Sequence, residues 1–346
     1  MERDERDAGP RSGDRGAISG RYTAAADDRS RLGEPDSNRS GGALSGVGDA
    51  EEQPGGAAAD HASEVLAGAG HSPLFHAQHE LRYIRQALIE TYERAFNCRL
   101  VVINDAIFGY SITLSEELLH DALPDTDLHV VLNTPGGDGE VAVRLARSMQ
   151  SRCRELTVVI PDVAKSAGTL LALGAHRILM GPASDLGPVD PQMQLKPGML
   201  VSAKDIIASV EDAARRVQEL PQTYPIYASL LTDVTAITVQ QARSALARTS
   251  DQLMEALKSN PDRSDEDAEA LRTNLQAALV EARSTHAAIF GAREAIAAGL
   301  PVTEADLDGR QWRLLWRLWT AYFHLGQRIY ESRRTSQIIG SWQGLS

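Results

Sequence analysis

Four short apolar runs recur through the middle of the chain: Leu100–Asn104, Leu128–Asn133, Leu156–Pro161 and Arg177–Met180. Each is too short for a helix, and their Val, Ile and Leu residues do not alternate with polar ones. That pattern predicts strands buried on both faces. Between the runs the period changes to three and four. Leu81, Ile84, Leu88 and Tyr92 share one face of a helix over 78–96, and Val141, Leu145 and Met149 form a stripe over Asp138–Ser151. Ser115 reads as the N-cap of another helix, and Ala167–Gly174 as a buried helix of small residues. The β-α-β-α-β alternation predicts an α/β fold with a mostly parallel sheet covered on both faces.

After residue 200 the pattern is helical. Ala203–Gln218, Val239–Lys258, Asp265–Ser284 and Ala292–Ala298 read as helices, the last closed by Gly299. Gln311–Tyr330 reads as one more, carrying Trp312, Trp316, Trp319 and Phe323 as a packing or self-association face. Before position 63 the only large apolar residues are Met1, Ile18, Tyr22, Leu32, Leu44 and Val47, too few to offset the entropy of ordering. The expected organisation is a disordered tail over 1–72, an α/β core over 73–232 and a helical insertion or hairpin over 233–284. A C-terminal helical part over 285–335 and a flexible tail over 336–346 complete it.

Charge and composition narrow the function. A formal net charge of −12 over 346 residues argues against general nucleic-acid binding. Two cysteines, Cys98 and Cys153, suggest neither a disulfide framework nor a cysteine metal site. No apolar run approaches the roughly 20 residues of a membrane span, and no secretory signal is visible, so a cytoplasmic protein is expected.

Two turns carry the candidate chemistry. Asn133-Thr134-Pro135-Gly136-Gly137-Asp138 ends one strand and opens a helix; Ala164-Lys165-Ser166-Ala167-Gly168-Thr169 repeats the geometry about thirty residues later. Gly136 and Gly137 lack a Cβ, so their amides can approach a carbonyl oxygen closely. Such donors, beside a helix N-terminus, make an oxyanion hole. Ser166 stands on the second turn, at the carboxyl edge where open α/β sheets bind ligands, and Ala167 supplies the next amide. Each turn alone is also explained structurally, as a Pro-Gly-Gly turn and a serine N-cap. Together, at one sheet edge, they point to acyl transfer from a serine nucleophile.

Thr134-Pro135-Gly136-Gly137, Lys165-Ser166-Ala167-Gly168-Thr169 and Leu186-Gly187-Pro188-Val189-Asp190-Pro191-Gln192 resemble the serine dehydrogenase proteinase family. That family groups with signal-peptide-peptidase-A-like and Clp-type serine peptidases of the Clp/crotonase fold. The resemblance covers roughly residues 80–225, with a weaker match over Ala292–Val302. It implies repeated β-α units, a serine peptidase acting on peptide bonds, and no metal or organic cofactor. It also implies a homo-oligomer, Ser166 as nucleophile, and Gly136 and Ala167 as oxyanion donors.

The proton acceptor is less plainly written. Clp peptidases place a His about 25 residues after the serine, and this chain has Val189-Asp190-Pro191 there. Relatives of the signal-peptide-peptidase-A type use a Lys, whose pKa burial can lower. Lys204, 38 residues after Ser166, is the candidate base, with Lys196, Lys165 and His286 behind it and Asp190 as a pocket or orienting residue. The family's helix lysine would align near Arg243-Ser244, where this chain has none. Two other readings use the same fold: a crotonase-like acyl-CoA enzyme without a serine nucleophile, and a non-catalytic assembly protein.

Overall fold

The computed structural model describes residues 72–281 and 289–342. The expectations for residues 1–71, for His286 and for the end of the 265–284 helix lie outside them. Helix α1 (Pro73–Phe96) leads into strand β1 (Cys98–Asn104), and α2 (Gly109–Leu118) into β2 (Asp127–Asn133). Helix α3 (Gly139–Gln150) precedes β3 (Leu156–Ile160), and β4 (Val163–Ala164) precedes α4 (Ala167–Leu173) and β5 (Arg177–Met180). A short β6 (Asp185–Leu186) and a hairpin of β7 (Gln192–Lys196) and β8 (Met199–Ser202) follow. Helices α5 (Ala203–Glu219), α6 (Tyr224–Leu230), α7 (Ala236–Leu257), α8 (Asp265–Leu275) and α9 (Ala292–Ala297) come next. The chain closes with β9 (Val302–Glu304), α10 (Arg310–Leu325), β10 (Gln327–Ser332) and β11 (Ser336–Ser341).

The main sheet has seven strands in the order β11-β10-β1-β2-β3-β5-β9. The run from β1 to β9 is parallel, and the last two strands are antiparallel to their neighbours. Successive residues of the parallel strands point into two separate cores. Val101, Ile103, Val130, Leu132, Val158 and Ile160 pack under α2, α3, α4, α7 and α8. Leu100, Val102, Val131, Val159 and Leu179 pack under α1 and α10. Burial on both sides is why these strands read as unbroken apolar runs.

Three expectations change. Ser115 does not start a helix; it is buried in the last turn of α2, whose N-cap is Phe108. There Ser111 Oγ accepts the Phe108 N–H at 3.0 Å, a cap supplied from inside the helix. The helix over Gln311–Tyr330 ends at Leu325, because Gly326 takes a left-handed conformation at φ +62°, and β10 follows. Residues Ser336–Ser341, expected as part of a flexible tail, form the edge strand β11 against β10. The C-terminal part is therefore helical and sheet-forming. Its tryptophans divide: Trp312 and Trp319 are buried in the second core, while Trp316 is half exposed.

Candidate active site

The two turns meet. Thr134 N–H donates to the Val163 carbonyl at 2.9 Å and Lys165 N–H to the Thr134 carbonyl at 3.1 Å, forming one rung of parallel sheet beyond the strand ends. A Cβ placed on Gly136 would lie 2.9 Å from the Ser166 Cβ, and one on Gly168 would lie 2.3 Å from Thr134 Cγ2. Only glycine lets these loops close to that distance. On the other side, Ile107 N–H donates to the Gly136 carbonyl and Asp138 N–H to the Ile107 carbonyl. This locks Gly137 in place at φ +143°.

Two buried asparagines at the strand ends support the arrangement. Asn104 and Asn133 stand opposite each other in register, and Asn133 Nδ2 donates to Asn104 Oδ1 at 2.8 Å. Asn133 Oδ1 accepts the Val163 N–H at 3.3 Å, so strand β2 anchors the approach to the serine turn. Asp105, fully buried, accepts from Ala106 N–H and from the Tyr110 hydroxyl. Burial pushes its carboxyl above the usual range, and the Tyr110 hydrogen bond opposes that shift. Sequence reading missed these residues, although the signal was present: two apolar strands each end in Asn at the same ladder position.

Ser166 sits at φ +49°, ψ −108°, a conformation that L-residues rarely adopt. Its backbone occupies the N-cap position of α4, but its side chain caps nothing. Among the described residues the hydroxyl has no hydrogen-bond partner. A serine forced into strain at a strand-to-helix turn, with its hydroxyl turned away from the helix, has the geometry of a nucleophile elbow. Two amides beside it, those of Gly137 and Ala167, also have no partner among the described residues. Gly136, expected as a donor, differs: its N–H donates to Thr134 Oγ1 at 3.1 Å. Its role here is to let the loops approach.

Ser166 opens onto a cleft of about 660 Å³, with Gly137, Pro135 and Phe108 on one side and Val189, Asp190 and Gln192 on the other. Helix α7 closes it with Arg248, Thr249 and Gln252. The Leu-Gly-Pro-Val-Asp-Pro-Gln string thus forms a cleft wall. Thr169 Oγ1 lies 2.9 Å from the carbonyls of both Ala164 and Gly187, and its single proton is shared between them, tying that wall to the serine turn. Asp190 is buried, and its Oδ2 accepts from Gln192 Nε2 at 2.9 Å.

None of the three candidate lysines lines this cleft. Lys204 Nζ donates to the Val280 carbonyl at 3.3 Å, behind the wall, where Ala203 N–H binds the Pro191 carbonyl. Lys165 points away from Ser166 into an ion pair with Asp185, and Lys196 pairs with Asp233 at 2.6 Å on the hairpin. The cation that does reach the cleft is Arg248, which the sequence reading did not select. Its Nε and Nη2 grip Glu140 at 2.5 and 2.7 Å, and Nη1 reaches Glu255 at 2.7 Å. These bonds hold both carboxylates below their usual range and keep the guanidinium protonated. Arg248 therefore cannot accept a proton; it fastens α7 to the first turn of α3 across the cleft floor. Arg243 faces away, toward Glu211.

Known proteins place this geometry in context. The family model of ClpP-like SDH-type serine proteinases matches residues 106–315, more than half of the chain. The uncharacterized protein MJ0137 of Methanocaldococcus jannaschii is 30% identical over 191 residues, covering 54% of this chain and 58% of that protein. MJ1495 of the same organism is 29% identical over 134 residues, 39% of either chain. The chain thus matches less than two thirds of the length of either relative. Among solved structures, a mutant of the 1510-N membrane-bound stomatin-specific protease is similar at 16% identity and a TM-score of 0.35, over 63% of this chain and 81% of that one. A second mutant of that protease, in complex with a substrate peptide, gives 14% identity and 0.37, over 69% and 84%.

Proposed function

The chain belongs to the family of ClpP-like SDH-type serine proteinases, and from that premise we propose that it hydrolyses peptide bonds with Ser166 as nucleophile. The observation that carries the proposal is the strained Ser166 elbow, its hydroxyl facing a cleft beside two unengaged amides. In the proposed reaction the Ser166 oxygen attacks the peptide carbonyl carbon. The Gly137 and Ala167 amides donate to the carbonyl oxygen as it gains negative charge, each such donor being worth roughly 3–4 kcal/mol. Collapse expels the amine, which takes up the serine proton, and water then hydrolyses the acyl-serine ester.

We assign proton acceptance to Asp190, the carboxylate that shares the cleft with Ser166. Lys204 is the alternative acceptor, reached only if the Val280 contact opens. Single-site variants separate them. With Asp190 as base, Asp190→Asn abolishes cleavage and Lys204→Met leaves it. With Lys204 as base, Lys204→Met abolishes cleavage while Asp190→Asn leaves it, and that outcome overturns the assignment.

The partners in this reading are peptide or protein substrates and further copies of the chain. Self-association is supported by exposed Met199 and Leu200 on the hairpin and by exposed Tyr224, Ile226 and Leu230 on α6. Two buried free cysteines fit a reducing, cytoplasmic setting. No helix among the described residues is long and apolar enough to cross a membrane. The test is cleavage of unfolded casein by the purified full chain, with Ser166→Ala as control. Cleavage retained by Ser166→Ala rejects the mechanism. Stabilisation by acyl-CoA in place of any cleavage favours the crotonase-like alternative, and neither response favours a non-catalytic assembly protein.

A further inference from the structure

Beside α10, on the sheet face opposite the Ser166 cleft, lies a second concavity of about 440 Å³. Its lining includes Pro161, Pro182 and Leu307, with Trp312 and Trp316 as an aromatic wall. The two indoles stack with centroids 6.1 Å apart and an interplanar angle of 25°. Trp312 is buried at 7% exposure, whereas Trp316, half of whose surface faces solvent at 48%, is not a core residue. Arg313 and Arg317 also line the concavity. Each follows one of the tryptophans, so the pairs repeat at i and i+4 along one helix side.

The two arginines are unlike most of the other described arginines. Arg85, Arg154, Arg248 and Arg272 each hold a carboxylate within 3 Å. Arg313 and Arg317 are exposed and make no ion pair or side-chain hydrogen bond with any described residue, although the chain carries a net charge of −12. Two unneutralised guanidinium groups at the edge of an apolar, aromatic hollow form a composite site. The hollow has the size and lining of a small-molecule pocket. Guanidinium pairs with a carboxylate through a planar two-point hydrogen bond, and an indole face accepts aliphatic or aromatic groups.

We propose that this hollow is a second binding site, independent of the Ser166 cleft, for a small carboxylate carried on an apolar body. The apolar body lies against Trp312 and Trp316, and the carboxylate engages Arg313 and Arg317. Two sources share this chemistry: a free medium-chain or aromatic acid, and the C-terminal residue of a peptide that ends in a large apolar side chain. The site shares no lining residue with the catalytic cleft, so it does not depend on the assignment of Ser166.

Intrinsic fluorescence reads this site directly, since Trp312 and Trp316 are two of four tryptophans in the chain. The full-length protein is titrated with octanoate, with phenylacetate and with a pentapeptide ending in phenylalanine. Octanol, phenylacetamide and the C-terminally amidated peptide serve as the respective uncharged controls. The expected result is a saturable change with at least one of the three carboxylates and binding at least tenfold weaker for its uncharged control. The Arg313→Ala/Arg317→Ala double variant weakens binding at least tenfold, Trp316→Leu diminishes the signal to what Trp312 supplies, and Ser166→Ala changes nothing. Both arginines and Trp316 are exposed, so unchanged melting temperatures verify the fold. Response to the acids but not the peptide identifies a free acid as ligand, and the reverse identifies a peptide terminus. The proposal is overturned if no carboxylate gives a saturable response or if uncharged controls bind equally well. It is also overturned if the double variant binds as wild type, or if Trp316→Arg lowers the oligomeric state seen by sedimentation, which would place a second copy over Trp316.

Discussion

Ser166 is held at φ +49°, ψ −108° by hydrogen bonds on either side of it: Lys165 N–H to Thr134, Gly168 N–H to the Lys165 carbonyl, and Leu170 N–H to the Ser166 carbonyl. A non-glycine residue in such a region costs on the order of 1–3 kcal/mol, and glycine relieves most of it. Ser166→Gly should therefore raise stability by about 1 kcal/mol while removing the proposed nucleophile. A denaturant titration showing a stability loss would mean that the turn is not strained. At this scale the sequence made visible the residue types that the proposed chemistry needs, a serine, two glycines and an alanine amide, and the structure brings their two turns together. It was not readable where function depends on direction. Nothing in the string Thr134-Pro135-Gly136-Gly137 says that Thr134 Oγ1 takes the Gly136 amide and leaves the Gly137 amide open. Nor does sequence distance reveal that Lys204 lies behind the cleft wall while Arg248, 82 residues beyond Ser166, reaches into it.

Elements position these residues through a few ties, of which the Arg248 clamp between α3 and α7 is open to a pH test. Arg248 depresses the folded-state pKa of Glu140 and Glu255 through direct hydrogen bonds. A depressed carboxylate contributes stability above its unfolded value, near 4.5, and loses it as pH falls through the folded value. All three side chains are partly exposed, so solvent screening limits each pair to about 1 kcal/mol or less. Arg248→Met should lower the melting temperature near pH 7, and the difference from wild type should shrink below pH 4. A pH-independent difference would assign the effect to packing instead. The strands of the parallel sheet were legible because burial on both faces writes a continuous apolar run. The hairpin β7–β8 went unread although Met193 and Leu195 alternate with polar neighbours, because that alternation is only two apolar residues long; with Val201 they pack against a small cluster of Ala203, Ile206 and Ala242. The helix over Gln311–Tyr330 is read too long for a different reason: Ile329 and Tyr330 extend the helical period of the tryptophans past Gly326, where the left-handed turn ends the helix.

Across the whole molecule, two cores flank one sheet, and the catalytic candidates gather at its carboxyl edge on one face. The opposite face rests on α1 and α10, which meet strand β2 through a polar contact. Gln311 Nε2 donates to Tyr92 Oη at 2.9 Å, and Tyr92 Oη and His129 Nδ1 share a hydrogen bond of 2.8 Å. Desolvation lowers the His129 pKa to about 4 from its usual 6.5. Between those values the unfolded chain binds a proton that the folded one does not, so stability falls as pH drops from 6.5 to 4. His129→Gln, which keeps an acceptor without a proton site, should flatten the melting-temperature profile in that window and leave the catalytic edge intact. An unchanged slope would place the acid sensitivity elsewhere. The doubly covered sheet was evident from pattern alone. The two antiparallel strands that extend it past β1 were not, because Gln327–Ser332 continues the period of the preceding helix and Ser336–Ser341 mixes polar and apolar residues as an edge strand does.

The most direct test is to treat the full-length protein with a fluorophosphonate, which bonds covalently to an activated serine oxygen, and to map the adduct by peptide mass spectrometry. A single adduct on Ser166, absent from Ser166→Ala and slowed in Asp190→Asn, is the outcome the account predicts. An adduct on another serine, or none on a protein that cleaves casein, would contradict it.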